Sequence, residues 1–239
     1  MNRLLTITAV VMLIDAAVVT SASQHAFPVI PPVRRAPEGR PAALPALSAA
    51  AEQVAALTLS VRLRHRSAGR TETWRQTIHR TADRVHVADT GGREWLFERN
   101  PRDLRRVSGS LTDHHSRTIV AYEESDLRNA FGIAGWVTVL ALGIDADWLD
   151  RLVATSTKRT IGGIHAVRYA LGDRPDQGEV WWAAEHALPM AFTIANGVET
   201  TRLSVERMKA GADPTLLRPP ALRFPGYAVV QFADWLEHR

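Results

Sequence analysis

The chain has 239 residues, 46% of them apolar, with 29 basic and 25 acidic side chains and a formal charge of +4. An apolar share of that size builds a core and excludes wholesale disorder. All the basic residues except Lys158 and Lys209 are arginine, interspersed with Asp and Glu, so the basic stripe of a nucleic-acid binder is missing.

Arg3, the apolar run from Leu4 to Ile14 and the small residues at 20–23 predict a secretory signal peptide over residues 1–22, cut after Ala22 or Ser23. The run is shorter than the ~20 residues that span a bilayer. The chain contains no cysteine. Stability must therefore come from the core rather than from disulfides, and no thiol is available to carry a lipid. The expected mature form is periplasmic and free in its compartment. Residues 23–47 include FPVIPPVRRAPEGRPAALP, rich in proline and alanine and without apolar periodicity, and read as an extended tether.

The folded domain is expected over residues 48–239. Ser48 is a good N-cap for a short helix carrying Val54 and Leu57 on one face. Leu57, Leu59, Val61 and Leu63 then alternate with polar residues, the period of a half-buried strand. The return strand is predicted over 71–80, with Trp74, Gln76 and Ile78 on one face. Short strands follow over 84–88 and 93–98, where Trp95 and Phe97 share a face, and over 105–111 and 117–122.

From 129 to 144 the sequence NAFGIAGWVTVLALGI has no charged residue. It reads either as an ordinary buried helix or as a lid over the concave side of a sheet, loosened by Gly132, Gly135 and Gly143. Asp145 is placed to cap a second helix. Strands resume over 155–161, 164–171 and 179–184, where Trp181 and Trp182 must point to opposite faces. Leu188, Met190, Phe192 and Ile194 form a further apolar face, and Asn196-Gly197 predicts a hairpin into a strand over 198–208. Residues 228–239 read as a terminal helix with Val229, Phe232 and Leu236 together.

The chemistry-bearing clusters are sparse. Asp113-His114-His115 could offer metal ligands, but no third and fourth ligand stands at recognisable spacing. His79 and His86 flank a tight turn and could approach one another. Glu123, Glu124 and Asp126 suit the charged start of a helix. Ser108-Gly109-Ser110 lacks the nucleophile-elbow pattern. No catalytic residue, metal or cofactor is expected, and the chain reads as a non-enzyme.

TIGGIHAVRYAL at 160–171, EVWWAAEHALPMAF at 179–192 and DPTLLRPP at 213–220 together resemble the outer-membrane lipoprotein carrier family and its LolA-like relatives. The positions that carry the likeness include Gly163, Trp182, Pro189 and Asp213; the tether and the tail after Pro220 depart from the pattern. The resemblance implies a mainly β (α+β) fold, a curved antiparallel incomplete barrel covered on its concave side by helices. It also implies a hollow for acyl chains of lipids or lipoproteins, and a lid-latching arginine, for which Arg75 and Arg84 are candidates. The residues expected to line that hollow are Leu59, Val61, Trp74, Trp95, Phe97, Trp182, Met190 and Phe192, with Trp136 and Leu140 from the lid. Two functions follow: a periplasmic carrier or binder of acyl chains that exchanges with a membrane-associated protein, or a non-catalytic protein-binding regulatory or sensor module with a filled core.

Overall fold

The computed structural model describes residues 54–144, 146–149, 151–171 and 178–237, apart from a two-residue antiparallel pairing of Leu5–Thr6 with Val29–Ile30. Apart from those four residues, the expected signal peptide and tether lie outside the described residues, as does most of the helix expected from Ser48. Val54–Ala56 form no regular element, and Leu57 opens a strand.

Alternating side chains dictate most of the strands. β1 (Leu57–Ser67), β2 (Arg70–Arg80), β3 (Arg84–Asp89), β4 (Arg93–Arg99), β5 (Val107–Asp113) and β6 (Thr118–Tyr122) form an antiparallel meander. After the helices come β7 (Leu152–Ile161), β8 (Ile164–Leu171), β9 (Gly178–Ala183), β10 (Leu188–Asn196) and β11 (Glu199–Ala210), a second meander. The two join where β11 pairs with β1, and β12 (Ala228–Gln231) adds in parallel to β6. The result is one curved, open twelve-stranded sheet in the order β12-β6-β5-β4-β3-β2-β1-β11-β10-β9-β8-β7, not closed into a barrel.

That order explains the helices. β6 and β7 are consecutive strands yet lie ten strand spacings apart, roughly 48 Å along the sheet at about 4.8 Å each. Residues 123–151 must cross one face to connect them, and they cross the face on which the apolar side chains converge. They form α1 (Glu124–Phe131), α2 (Trp136–Leu140) and α3 (Ala146–Leu149). Trp136, Val139, Leu140, Ile144, Trp148 and Leu149 join the strand residues in one buried cluster.

The roof is in pieces, where one uncharged mid-chain helix was expected. Gly132 ends α1 in a left-handed conformation (φ 63°), and a Cβ at Gly135 would stand 2.8 Å from the Arg105 carbonyl oxygen. These glycines cap and pack the roof rather than loosen it. Glu123 caps α1 in a capping box with Asp126, as the acidic run predicts.

Two further expectations shift. The turn between β10 and β11 is Gly197-Val198, one residue beyond the Asn-Gly signal, because Asn196 pairs with Glu199. The expected terminal helix is half strand: Ala228–Gln231 adds to β6, and among the described residues of that stretch α4 (Phe232–Glu237) is the helical part. The β-branched pair Val229-Val230 beside an open sheet edge overrides the helical spacing.

Candidate functional site

The predicted lining residues come together. Leu59 and Val61 from β1, Trp95 and Phe97 from β4, Trp182 from β9, Met190 and Phe192 from β10, and Trp136 and Leu140 from α2 are all buried in a single cluster. Trp74 packs against that cluster but is half-buried, because β2 is exposed over Arg70–Thr73, its first four residues. Trp95 and Phe97 stack at 5.8 Å between ring centroids, and Trp95 meets Phe131 of α1 edge-on at 5.4 Å. Trp181 points to the opposite face, as alternation requires, and lies 3.8 Å beneath the Arg159 guanidinium.

Among the described residues, one cation stands within this apolar layer. Arg80, the last residue of β2, is 0% exposed. Its Nη1 donates to the carbonyl oxygens of Leu140 in α2 and Ala187, each at 3.3 Å, and its Nη2 donates to the His186 carbonyl oxygen at 2.7 Å. Nε has no hydrogen-bond partner, and among the described residues no carboxylate forms a salt bridge with it. Burial lowers its guanidinium to about 10.

Arg80 thus ties the roof to the 3-10 turn Ala184–His186, at the place where Arg75 or Arg84 was expected. Arg75 sits on the outer face beside Glu206, and Arg84 pairs with Glu98 and donates to the Leu217 carbonyl oxygen. The signal that identifies Arg80 is parity: it continues the buried positions Gln76 and Ile78.

On the outer face a polar cluster had no clear signature. Glu94 accepts from Arg223 Nη2 at 2.6 Å and lies 3.0 Å from His86 Nε2 and 2.9 Å from His114 Nε2. His114 Nδ1 is 3.0 Å from the Tyr227 hydroxyl. Burial raises the Glu94 carboxyl, and the hydrogen bonds from His86, His114 and Arg223 outweigh it, bringing it to about 2. His114 therefore belongs to a hydrogen-bonded clasp, while His115 is exposed beside Asp113. His79 and His86 do approach, with ring centroids 5.9 Å apart. Among the described residues no group of three or more His, Asp or Glu is arranged to hold a metal ion.

A polar cleft of about 690 Å³ lies outside the roof, lined by Asp103, Arg105, Arg106, Glu123, Glu124 and Arg128. Its charges are largely spent on one another, since Glu124 bonds both Arg106 and Arg128.

An open, mainly antiparallel sheet, its apolar face roofed by short helices and pinned by a buried arginine, is the class of architecture these features define. Solved structures with a similar course of backbone include a DUF1329 family protein from Desulfovibrio piger (8% identity, 74% of this chain and 96% of that one, TM-score 0.41). They also include a LolA superfamily protein from Nitrosomonas europaea (8%, 75% and 99%, 0.35) and LprF from Mycobacterium bovis (11%, 74% and 94%, 0.38). No family model matches the sequence, and no curated protein matches it.

Proposed function

We propose that this protein is an exported, non-catalytic binder or carrier of a slender apolar ligand, a lipid or lipoprotein acyl chain, held between the sheet and its roof. The observation that carries the reading is Arg80. A cation without a counter-ion in an apolar layer costs several kcal/mol, and three main-chain hydrogen bonds only partly offset it. A roof meant to stay shut is better served by a hydrophobe there. When the roof lifts, the guanidinium regains water, so the cost of opening falls. An acyl chain in the freed space gains about 0.8 kcal/mol for each methylene removed from water. Leu59, Val61, Trp95, Phe97, Trp136, Leu140, Trp182, Met190 and Phe192 then supply its walls, with Trp74 at the outer end.

A second reading, a regulatory or sensor module that binds a protein partner on its surface, is favoured by the tight burial of those same residues with the roof closed. One experiment separates the two. Protein spanning residues 23–239 is extracted with organic solvent for mass spectrometry, and the stripped protein is titrated with a fluorescent fatty acid. Co-purified lipid and saturable binding support the carrier. Their joint absence supports the filled-core module and ends the first reading.

A further inference from the structure

The tail after β11 ties the outer face of the sheet to the space beneath the roof. Gly211 N donates to the Ala56 carbonyl oxygen at 2.7 Å, Arg84 holds the Leu217 carbonyl oxygen at 2.9 Å, and Leu217 and Pro220 are buried against the outer face. Arg223 then meets Glu94, Tyr227 meets His114, and Ala228 N donates to the Arg117 carbonyl oxygen at 3.0 Å. From there the chain rounds the edge as β12. Phe232 of α4 lies 4.8 Å from the Tyr122 ring and 6.3 Å from Phe131 of α1, with the Trp235 ring tilted against it beyond at 6.1 Å. Tyr122, Phe131 and Trp95 belong to the buried cluster under the roof, and Phe232 and Trp235 pack against it from outside.

The middle and the tip of this strap are held very differently. Its middle is clasped by a carboxylate with three donors, where Arg223 is 12% and Glu94 18% exposed. Its tip rests on a four-residue parallel strand and a six-residue helix, with Val229 56% and Leu236 55% exposed. A short edge element with little buried apolar area is where local opening is easiest. Lifting that tip uncovers aromatic side chains continuous with the proposed ligand space, whereas the other eleven strands stay paired.

We infer that the strap is a gate: an apolar chain reaches the space under the roof at the β6–β12 edge when Phe232 and Trp235 lift away, and the Arg223–Glu94 clasp limits how far the strap can leave. This inference rests on the proposed ligand-binding reading and adds the route of admission. The ligand class it fits is a single-chain amphiphile, which threads past two aromatic rings end-on while its head group stays in water.

The chain contains no cysteine, so one engineered pair can lock the strap. Ala121 and Gln231 are partners in the parallel register, and a bridge requires Cα atoms within about 7 Å. In full-length Ala121→Cys/Gln231→Cys protein, the rate of cis-parinaric acid uptake is followed by fluorescence in the oxidised and reduced forms. The gate predicts at least ten-fold slower uptake when oxidised, with the wild-type rate restored by dithiothreitol. Equal rates in the two forms overturn the gate and leave ligand binding standing; no uptake by wild-type protein overturns both. If the bridge does not close, Phe232→Ala decides the matter: uptake at least three-fold faster than wild type supports the gate, and an unchanged rate overturns it.

Discussion

The indole Nε1 of Trp136 donates a hydrogen bond to the Ala82 carbonyl oxygen at 3.1 Å, so the first residue of α2 is tied to the turn between β2 and β3. Together with Arg80 it fixes α2 at both ends, by a ring at one and a carbonyl at the other. Trp136→Phe keeps most of the buried area and loses the bond, and a cost of about 1 kcal/mol is expected. Trp136→Asp puts a carboxylate in an apolar site and is expected to cost more than 4 kcal/mol while loosening the roof. Urea titration and binding of an apolar dye check both. Unchanged melting and dye binding in Trp136→Asp would contradict the placement of the roof.

Gly178 shows how closely the roof meets the sheet. A Cβ there would lie 2.9 Å from the Thr193 carbonyl oxygen and 2.9 Å from Cζ2 of Trp148 in α3. The strand partner cannot retreat without breaking its register, so the indole must move. Gly178→Ala is expected to destabilise by about 1–3 kcal/mol. For a domain of this size that lowers the melting temperature by roughly 2–12 °C, at about 2–4 °C per kcal/mol. Calorimetry tests it, and a rise in melting temperature would mean that the site has room.

The two preceding sites also mark what the sequence discloses. Leu59, Val61, Trp95 and Phe97 declare their face by alternation, because a strand leaves a side chain only two directions. The roof's apolar content was plain as well, but its break at Gly132–Gly135 depends on the Arg105 carbonyl, contributed by a distant loop. Arg80 is hard to recognise because charge on a strand reads as solvent-facing, although its parity with Ile78 points inward. The Glu94 clasp had no local trace, since Arg223 lies 129 residues away in sequence. Residues 228–237 read as helix because Val229, Phe232 and Leu236 fit the helical period, and only the open edge of β6 takes Ala228–Gln231 into a strand.

Arg80 itself gives a directional test of the proposed function. Its hydrogen bonds to Leu140, His186 and Ala187 only partly offset the cost of keeping the guanidinium from water while the roof is closed. Arg80→Met fills similar space and removes the buried charge, so that cost disappears from the closed form. A closed form favoured by about 1–1.5 kcal/mol more, the low end of what replacing a buried ion by a hydrophobe gives, is expected to weaken fatty-acid binding about five- to ten-fold. Tighter binding by Arg80→Met would show that the arginine holds the roof shut and would overturn its part in opening.

The Glu94 clasp makes folding stability depend on acid in a defined window. In the folded chain the carboxyl stands at about 2, against 4.5 ordinarily. A carboxyl lowered by folding contributes stability that is fully present above pH 4.5 and drains away as pH falls toward 2. At 1.36 kcal/mol per pKa unit the contribution is about 2–3 kcal/mol after allowance for partial exposure. Glu94→Gln retains the shape but not the charge, and leaves Arg223 without a counter-ion. The difference in unfolding free energy between wild type and Glu94→Gln should therefore hold steady from pH 7 to 5 and shrink markedly by pH 3. Urea titrations at pH 7, 5 and 3 measure it, and Arg223→Met in a double-mutant cycle isolates the ion pair from His86 and His114. A gap that stays constant down to pH 3 would show that the strap is held by packing of Phe224 and Tyr227 and not by the charge on Glu94.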